Sequence, residues 1–142
     1  MHLIPPFRRA PIVLALLTSA CSSTLYLTLN GKPPGQPPQV LDCVKQQITT
    51  LGYTLNALDT EANRVRALKY DWQTRSADTQ FRRRVDRLLV EIGGSSTAPT
   101  ALKIEAHTFA EYMTQRGPTE VEESASTGVK AAAQSILQAC GS

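Results

Sequence analysis

Two segments with apolar residues at helical spacing bracket a stretch in which apolar and polar residues alternate, and this order restricts the folds open to the chain. Val40, Val44, Ile48 and Leu51 recur every three or four residues and predict a helix from about Val40 to Leu51. Asp42 falls in its expected first turn, where the helix dipole favours a carboxylate, and Gly52 is a natural C-cap. A second helix is expected over Thr127 to Cys140, where Val129, Ala132, Ala133, Ile136, Leu137 and Cys140 form one apolar stripe. Ser126 or Thr127 would cap its start.

Between them the period changes to two. Tyr53–Leu58 and Arg64–Tyr70 flank the polar run Asp59-Thr60-Glu61-Ala62-Asn63 and read as a hairpin. Arg87–Ile92 alternates, with Leu88, Val90 and Ile92 opposed to Arg87 and Glu91. Leu102–Tyr112 alternates in the same way, and the loop Gly93–Thr100 joins the two. Strands grouped between helices predict an α+β domain, with an antiparallel sheet of about four strands and both helices packed on one face.

The N-terminal 21 residues read MHLIPPFRRAPIVLALLTSAC. Arg8 and Arg9 precede a short apolar run, Ala10 to Leu17, and the small residues Thr18, Ser19 and Ala20 lead into Cys21. That is the layout of a secretory signal, and the apolar run falls short of the roughly 20 residues a membrane-spanning helix needs. The segment resembles a bacterial lipobox, in which a cysteine behind a small residue becomes the acylated N-terminus after cleavage. It departs from the commonest pattern in having Thr18 where leucine is usual, with Leu17 one place earlier. The alternative is an ordinary cleaved signal in which the cysteine is incidental. Arg8-Arg9 lacks the flanking residues of a twin-arginine signal.

The resemblance implies a signal peptide over 1–20, lipidation at Cys21 and a cell-envelope location. Two or three acyl chains would hold the protein stably on a membrane. Ser22 after the cysteine implies the outer membrane, facing the periplasm, in many diderm bacteria. Residues 21–38, with Pro33, Pro34, Pro37 and Pro38, then read as a proline-rich tether, although Leu25, Leu27 and Leu29 alternate enough for one short strand. Residues 39–142 make one small domain. With Cys21 assigned to lipid, Cys43 and Cys140 remain in an oxidising compartment, where pairing is the default. Antiparallel neighbouring helices would bring them within reach of a disulfide. A redox-active pair would want C-x-x-C spacing, which is missing.

Loss of the signal removes Arg8 and Arg9, so 15 basic residues fall to 13 against 12 acidic ones, leaving a net charge of +1. Bulk charge therefore gives no reason to expect nucleic acid as a partner, and aromatic residues are only 6% of the chain. Charge is nevertheless segregated. Arg64 to Arg87 contains eight basic residues and three acids, a net of +5, while Glu105 to Glu123 contains five glutamates and Arg116, a net of −4. Arg75, Arg82, Arg83 and Arg84 are candidates for a patch that meets an anionic envelope polymer, lipid head groups or an acidic envelope protein. The plainer reading is a solvated face, partly neutralised by the acidic segment.

His107 is the single histidine left once His2 is removed with the signal, and it lies on the polar side of its strand. One histidine without cysteine thiolates makes a poor zinc site. Glu120, Glu122 and Glu123 match no calcium loop and read as a solvated acidic turn. The chain contains no G-x-S-x-G, phosphate-binding glycine loop or H-E-x-x-H. The expectation is a non-enzymatic, membrane-anchored envelope lipoprotein without cofactor or metal, whose domain binds or scaffolds a partner. A carrier of a small apolar ligand or lipid is the alternative, and an enzyme of unknown class stands third.

Overall fold

The computed structural model describes residues 24–142. The expected signal segment and Cys21 lie outside them. Along the chain run β1 (Leu27–Gly31), α1 (Pro37–Thr50), β2 (Thr54–Asp59), β3 (Arg64–Asp71), β4 (Phe81–Gly93), β5 (Ala101–Thr114), β6 (Gly117–Glu123) and α2 (Thr127–Cys140). The strands form one antiparallel sheet in the order β1-β5-β4-β3-β2, with β6 also paired to β5. The fold class is α+β. The sheet has six strands and not about four, because β1 and β6 both belong to it.

The two extra strands share an edge. β4 occupies one side of β5 from Ala101 to Tyr112. On its other side β1 pairs with Leu102–Ala106 and β6 with Thr108–Thr114, so the two lie end to end. The proline-rich stretch is consequently part of the domain: Pro33 and Pro37 are buried, and the chain crosses from β1 into α1. Prolines at the first two positions of α1 fit a helix start, where no amide hydrogen is required. That start lies three residues earlier than Val40, so Asp42 sits beyond the first turn, where it pairs with Lys45 at 2.6 Å. Gly52 takes φ +77°, the left-handed conformation that ends a helix.

Alternation in β3, β4 and β5 sends Val65, Ala67, Leu88, Val90, Ile92, Leu102, Ile104 and Ala106 to one face. There they pack with Val44 and Ile48 of α1 and with Val129, Ala133 and Ile136 of α2. α1 covers β2, β3 and β4; α2 covers β1, β4 and β5; the helices touch each other. The Cys43–Cys140 disulfide is formed, with Cα atoms 5.9 Å apart, and joins the middle of α1 to the last residue of α2.

The α2 C-terminus packs tightly on β1. A Cβ at Gly31 would lie 2.8 Å from Leu137 Cδ1 and 2.9 Å from the Gly141 carbonyl oxygen. Gly31→Ala is therefore expected to cost about 1–3 kcal/mol through overpacking, read as a shift in the urea unfolding midpoint. A silent substitution would mean that β1 is a spacer and not a strand of the sheet.

Candidate functional site

With the helices on one face, the opposite face of the sheet is left open among the described residues. The same alternation that buries Val65 and Leu88 places Arg66, Leu68 and Tyr70 of β3 there, with Arg83, Val85, Arg87 and Leu89 of β4. β5 adds His107, Phe109 and Glu111. Tyr70, Val85 and Phe109 are register partners across three strands and make a short apolar row. Val85 is 1% exposed although it lies away from the main core, which shows how closely its neighbours cover it.

The arginines lie over this row. The Arg83 guanidinium is 3.8 Å from the Tyr70 ring centroid and 4.6 Å from that of Trp72, and the Arg87 guanidinium is 4.7 Å from that of Phe109. Such stacking favours arginine, whose planar and weakly hydrated cation lies flat on a ring. Farther along, Tyr26 stacks on His107 with centroids 4.7 Å apart, and His107 Nδ1 is 2.6 Å from Glu122 Oε1. Between these clusters is a shallow hollow of about 420 Å³ lined by Asn56, Arg66, Arg87, Leu89, His107 and Phe109. Trp72, just beyond the end of β3, is 53% exposed.

The four candidate patch arginines do not converge into one free cationic surface. Arg82, Arg83 and Arg84 lie within β4, so strand alternation separates them. A register irregularity between Phe81 and Arg83 lets both Arg82 and Arg83 reach Glu111, at 3.2 and 3.0 Å. Arg84 turns to the helix side and pairs with Glu123 at 2.9 Å. Arg75, in the β3–β4 connection, donates to the Trp72 carbonyl at 2.7 Å. The +5 and −4 blocks are thus neighbours in one sheet, and Arg87–Glu120 at 2.7 Å continues the pairing. Glu120, Glu122 and Glu123 belong to β6 and are not a solvated turn.

Glu111 is the unusual member, at 6% exposure. Its Oε2 accepts from Arg83, whereas Oε1 faces Arg82 as an ion contact without hydrogen-bond geometry, and Arg83 Nε has no hydrogen-bond partner. A buried ion pair of this kind is costly to break and contributes little when intact. A separate polar cluster serves the fold. Thr108 and Ser126 hydroxyls donate to Asp86 at 2.6 and 2.8 Å, and Ser126 accepts from the Val129 amide, which pins the α2 N-terminus to the sheet.

The loop bearing Trp72 is ordered by Asp71. The Thr74 hydroxyl above all, then the Gln73 and Thr74 amides and the Arg84 charge, hold the Asp71 carboxyl below its ordinary range. A depressed carboxylate pKa stabilises the ordered loop above the unfolded pKa, and that stabilisation is lost as pH falls through the folded value. Trp72 fluorescence, the only indole signal, should therefore stay constant on acidification to the ordinary aspartate value of about 3.9 and change only below it. A transition at or above that value, or the same titration curve in Asp71→Asn, would contradict the assignment.

A cleft of about 760 Å³ lies between the β3–β4 connection and the α2 N-terminus, and its lining mixes Lys69, Asp71, Arg84 and Asp86 with Leu51 and Tyr53. Burial, reinforced by the Asp86 charge, pushes the Tyr53 phenol above its usual pKa. The space between sheet and helices is filled by side chains at or below 1% exposure, Ile48, Leu88, Leu102, Ile104 and Ile136 among them. Among the described residues no three His, Cys, Asp or Glu side chains gather as metal ligands, and no helix is long and apolar enough to cross a membrane.

No known protein-family model and no curated protein matches the chain.

Proposed function

We propose that the chain is a lipid-anchored protein of the cell envelope, held at the outer membrane through Cys21, whose domain binds another envelope protein through the open face of its sheet. The observation that carries this reading is the composition of that face: aromatic rings overlain by stacked arginines beside a hollow, with Arg82, Arg83 and Arg87 already engaged by glutamates. Aromatic residues and arginine are the types enriched at the centres of protein interfaces. Because Arg82, Arg83, Arg84 and Arg87 are engaged by glutamates, an anionic polymer would have to displace those carboxylates, whereas a protein surface can match rings and mixed charges directly. The domain acts by binding and not by catalysis. The filled space between sheet and helices, with Ile48, Leu88, Leu102, Ile104 and Ile136 at or below 1% exposure, supports a binder over a carrier that encloses an apolar ligand.

The experiment compares Trp72→Ala and Arg66→Gln with Gln46→Ala on α1, all three at exposed positions. Partner recovered from cross-linked envelopes should fall about tenfold or more for at least one open-face variant, as for a typical interface anchor, with Gln46→Ala unchanged. Equal recovery in all three would remove the open face as the binding surface. Recovery that collapses for every variant with a modest rise in salt would point instead to an anionic polymer.

A further inference from the structure

We infer that the domain sits edge-on on the bilayer, with the β1/β6 edge of the sheet against the head groups and Leu25, Tyr26 and Val121 in contact with the lipid interface. This rests on acylation of Cys21. Two residues, Ser22 and Ser23, separate Cys21 from Thr24, and the three Cα–Cα steps span at most about 11 Å. The head-group region on each side of a bilayer is about 5–7 Å thick. The chain therefore joins the domain within a short distance of the lipid, and the place where it joins is fixed. The Ala125 amide donates to the Leu25 carbonyl at 2.7 Å, holding residues 24–26 against the segment between β6 and α2.

The neighbouring surface suits that location. Leu25 is 42% exposed and Val121, on β6, is 52% exposed, while Tyr26 offers the amphipathic ring favoured at membrane interfaces. Of the β6 glutamates, Glu120 and Glu123 are paired with Arg87 and Arg84, and Glu122 is hydrogen-bonded to His107, so none presents an unengaged carboxylate to the contact. The apolar side chains Leu55 and Leu58 are exposed as well, but they belong to β2 on the opposite edge. Four strand spacings of about 4.8 Å put that edge roughly 19 Å from β1, beyond the reach of the two-residue link. Edge-on docking leaves the open sheet face accessible to a partner from the side and directs β2 away from the membrane.

The test uses full-length lipidated protein in phosphatidylcholine vesicles containing a head-group nitroxide lipid. With Cys43 and Cys140 bonded and Cys21 acylated, Val121→Cys or Leu58→Cys supplies the single free thiol for a fluorophore. Leu25→Cys is the second position on the proximal edge if Val121→Cys folds poorly. Quenching is expected to be several-fold stronger at Val121 or Leu25 than at Leu58. Equal quenching, or stronger quenching at Leu58, overturns the orientation while leaving the anchor intact. An intact mass showing unmodified Cys21 in the mature protein overturns the anchor and the orientation with it.

Discussion

Cys43→Ala is expected to lower the melting temperature by about 10 °C or more, and the same shift should follow reduction of the wild-type protein. The bond joins residues 97 apart and closes a loop of nearly the whole domain. In the chain-entropy model a loop of about 100 residues gives about 4.7 kcal/mol, and removing such a bond from a small secreted domain costs about 2–5 kcal/mol. Its place in the packing directs where the loss appears first. Cys140 is the last residue of α2, and the following Gly141 lies against Gly31 of β1. Without the bond the last turn of α2 is tied to α1 by packing alone, so amide exchange should accelerate there and in β1 before the central β4–β5 pair. An unchanged melting temperature in dithiothreitol would show that the helices need no covalent tie.

The second large effect is expected at Glu111. Glu111→Ala leaves the half-buried Arg83 without its anion, and breaking a buried pair from one side typically costs about 3–5 kcal/mol. Because Arg82 is largely exposed and Arg83 retains its stacking on Tyr70 and Trp72, the lower end of that range is expected. The double variant Glu111→Leu with Arg83→Met should recover most of the loss, as replacement of both charges removes the uncompensated one. Urea unfolding of the three proteins checks this, and a single-variant effect below about 1 kcal/mol would mean that the pair is effectively solvated. Replacing Arg82, Arg83 and Arg84 together by glutamine is for the same reason a poor probe of binding: it disturbs the fold through Arg83.

Much of this arrangement is legible in the amino-acid sequence. The α2 stripe gave Thr127–Cys140 at its observed bounds, and the alternation of Leu88, Val90 and Ile92 against Leu102, Ile104 and Ala106 identified the central pair. The Cys43–Cys140 bond followed once Cys21 was set aside. β1 and β6 were not legible, for different reasons. The Leu25-Leu27-Leu29 alternation sits directly before four prolines, whose composition argues for an extended spacer. β6, with the sequence GPTEVEE, has almost no apolar alternation, because its outward glutamates meet arginine and histidine partners and not a core. β4 begins six residues before Arg87 for a related reason. Arg82, Arg83 and Arg84 hide the strand pattern, being stabilised by carboxylates that lie nearly 30 or more residues away in sequence. The row Tyr70–Val85–Phe109 depends on the register of three strands, which no local pattern specifies.

In the proposed arrangement the open sheet face, and not the helical one, meets the partner. Site-specific photo-cross-linking in intact envelopes measures this directly, with a benzophenone side chain placed in turn at Trp72, Leu89 and Gln46 of the lipidated protein. Discrete adducts from Trp72 and Leu89, with none from Gln46, are the predicted result. Adducts confined to Gln46, or none from either open-face position while the protein remains folded and membrane-bound, would contradict it.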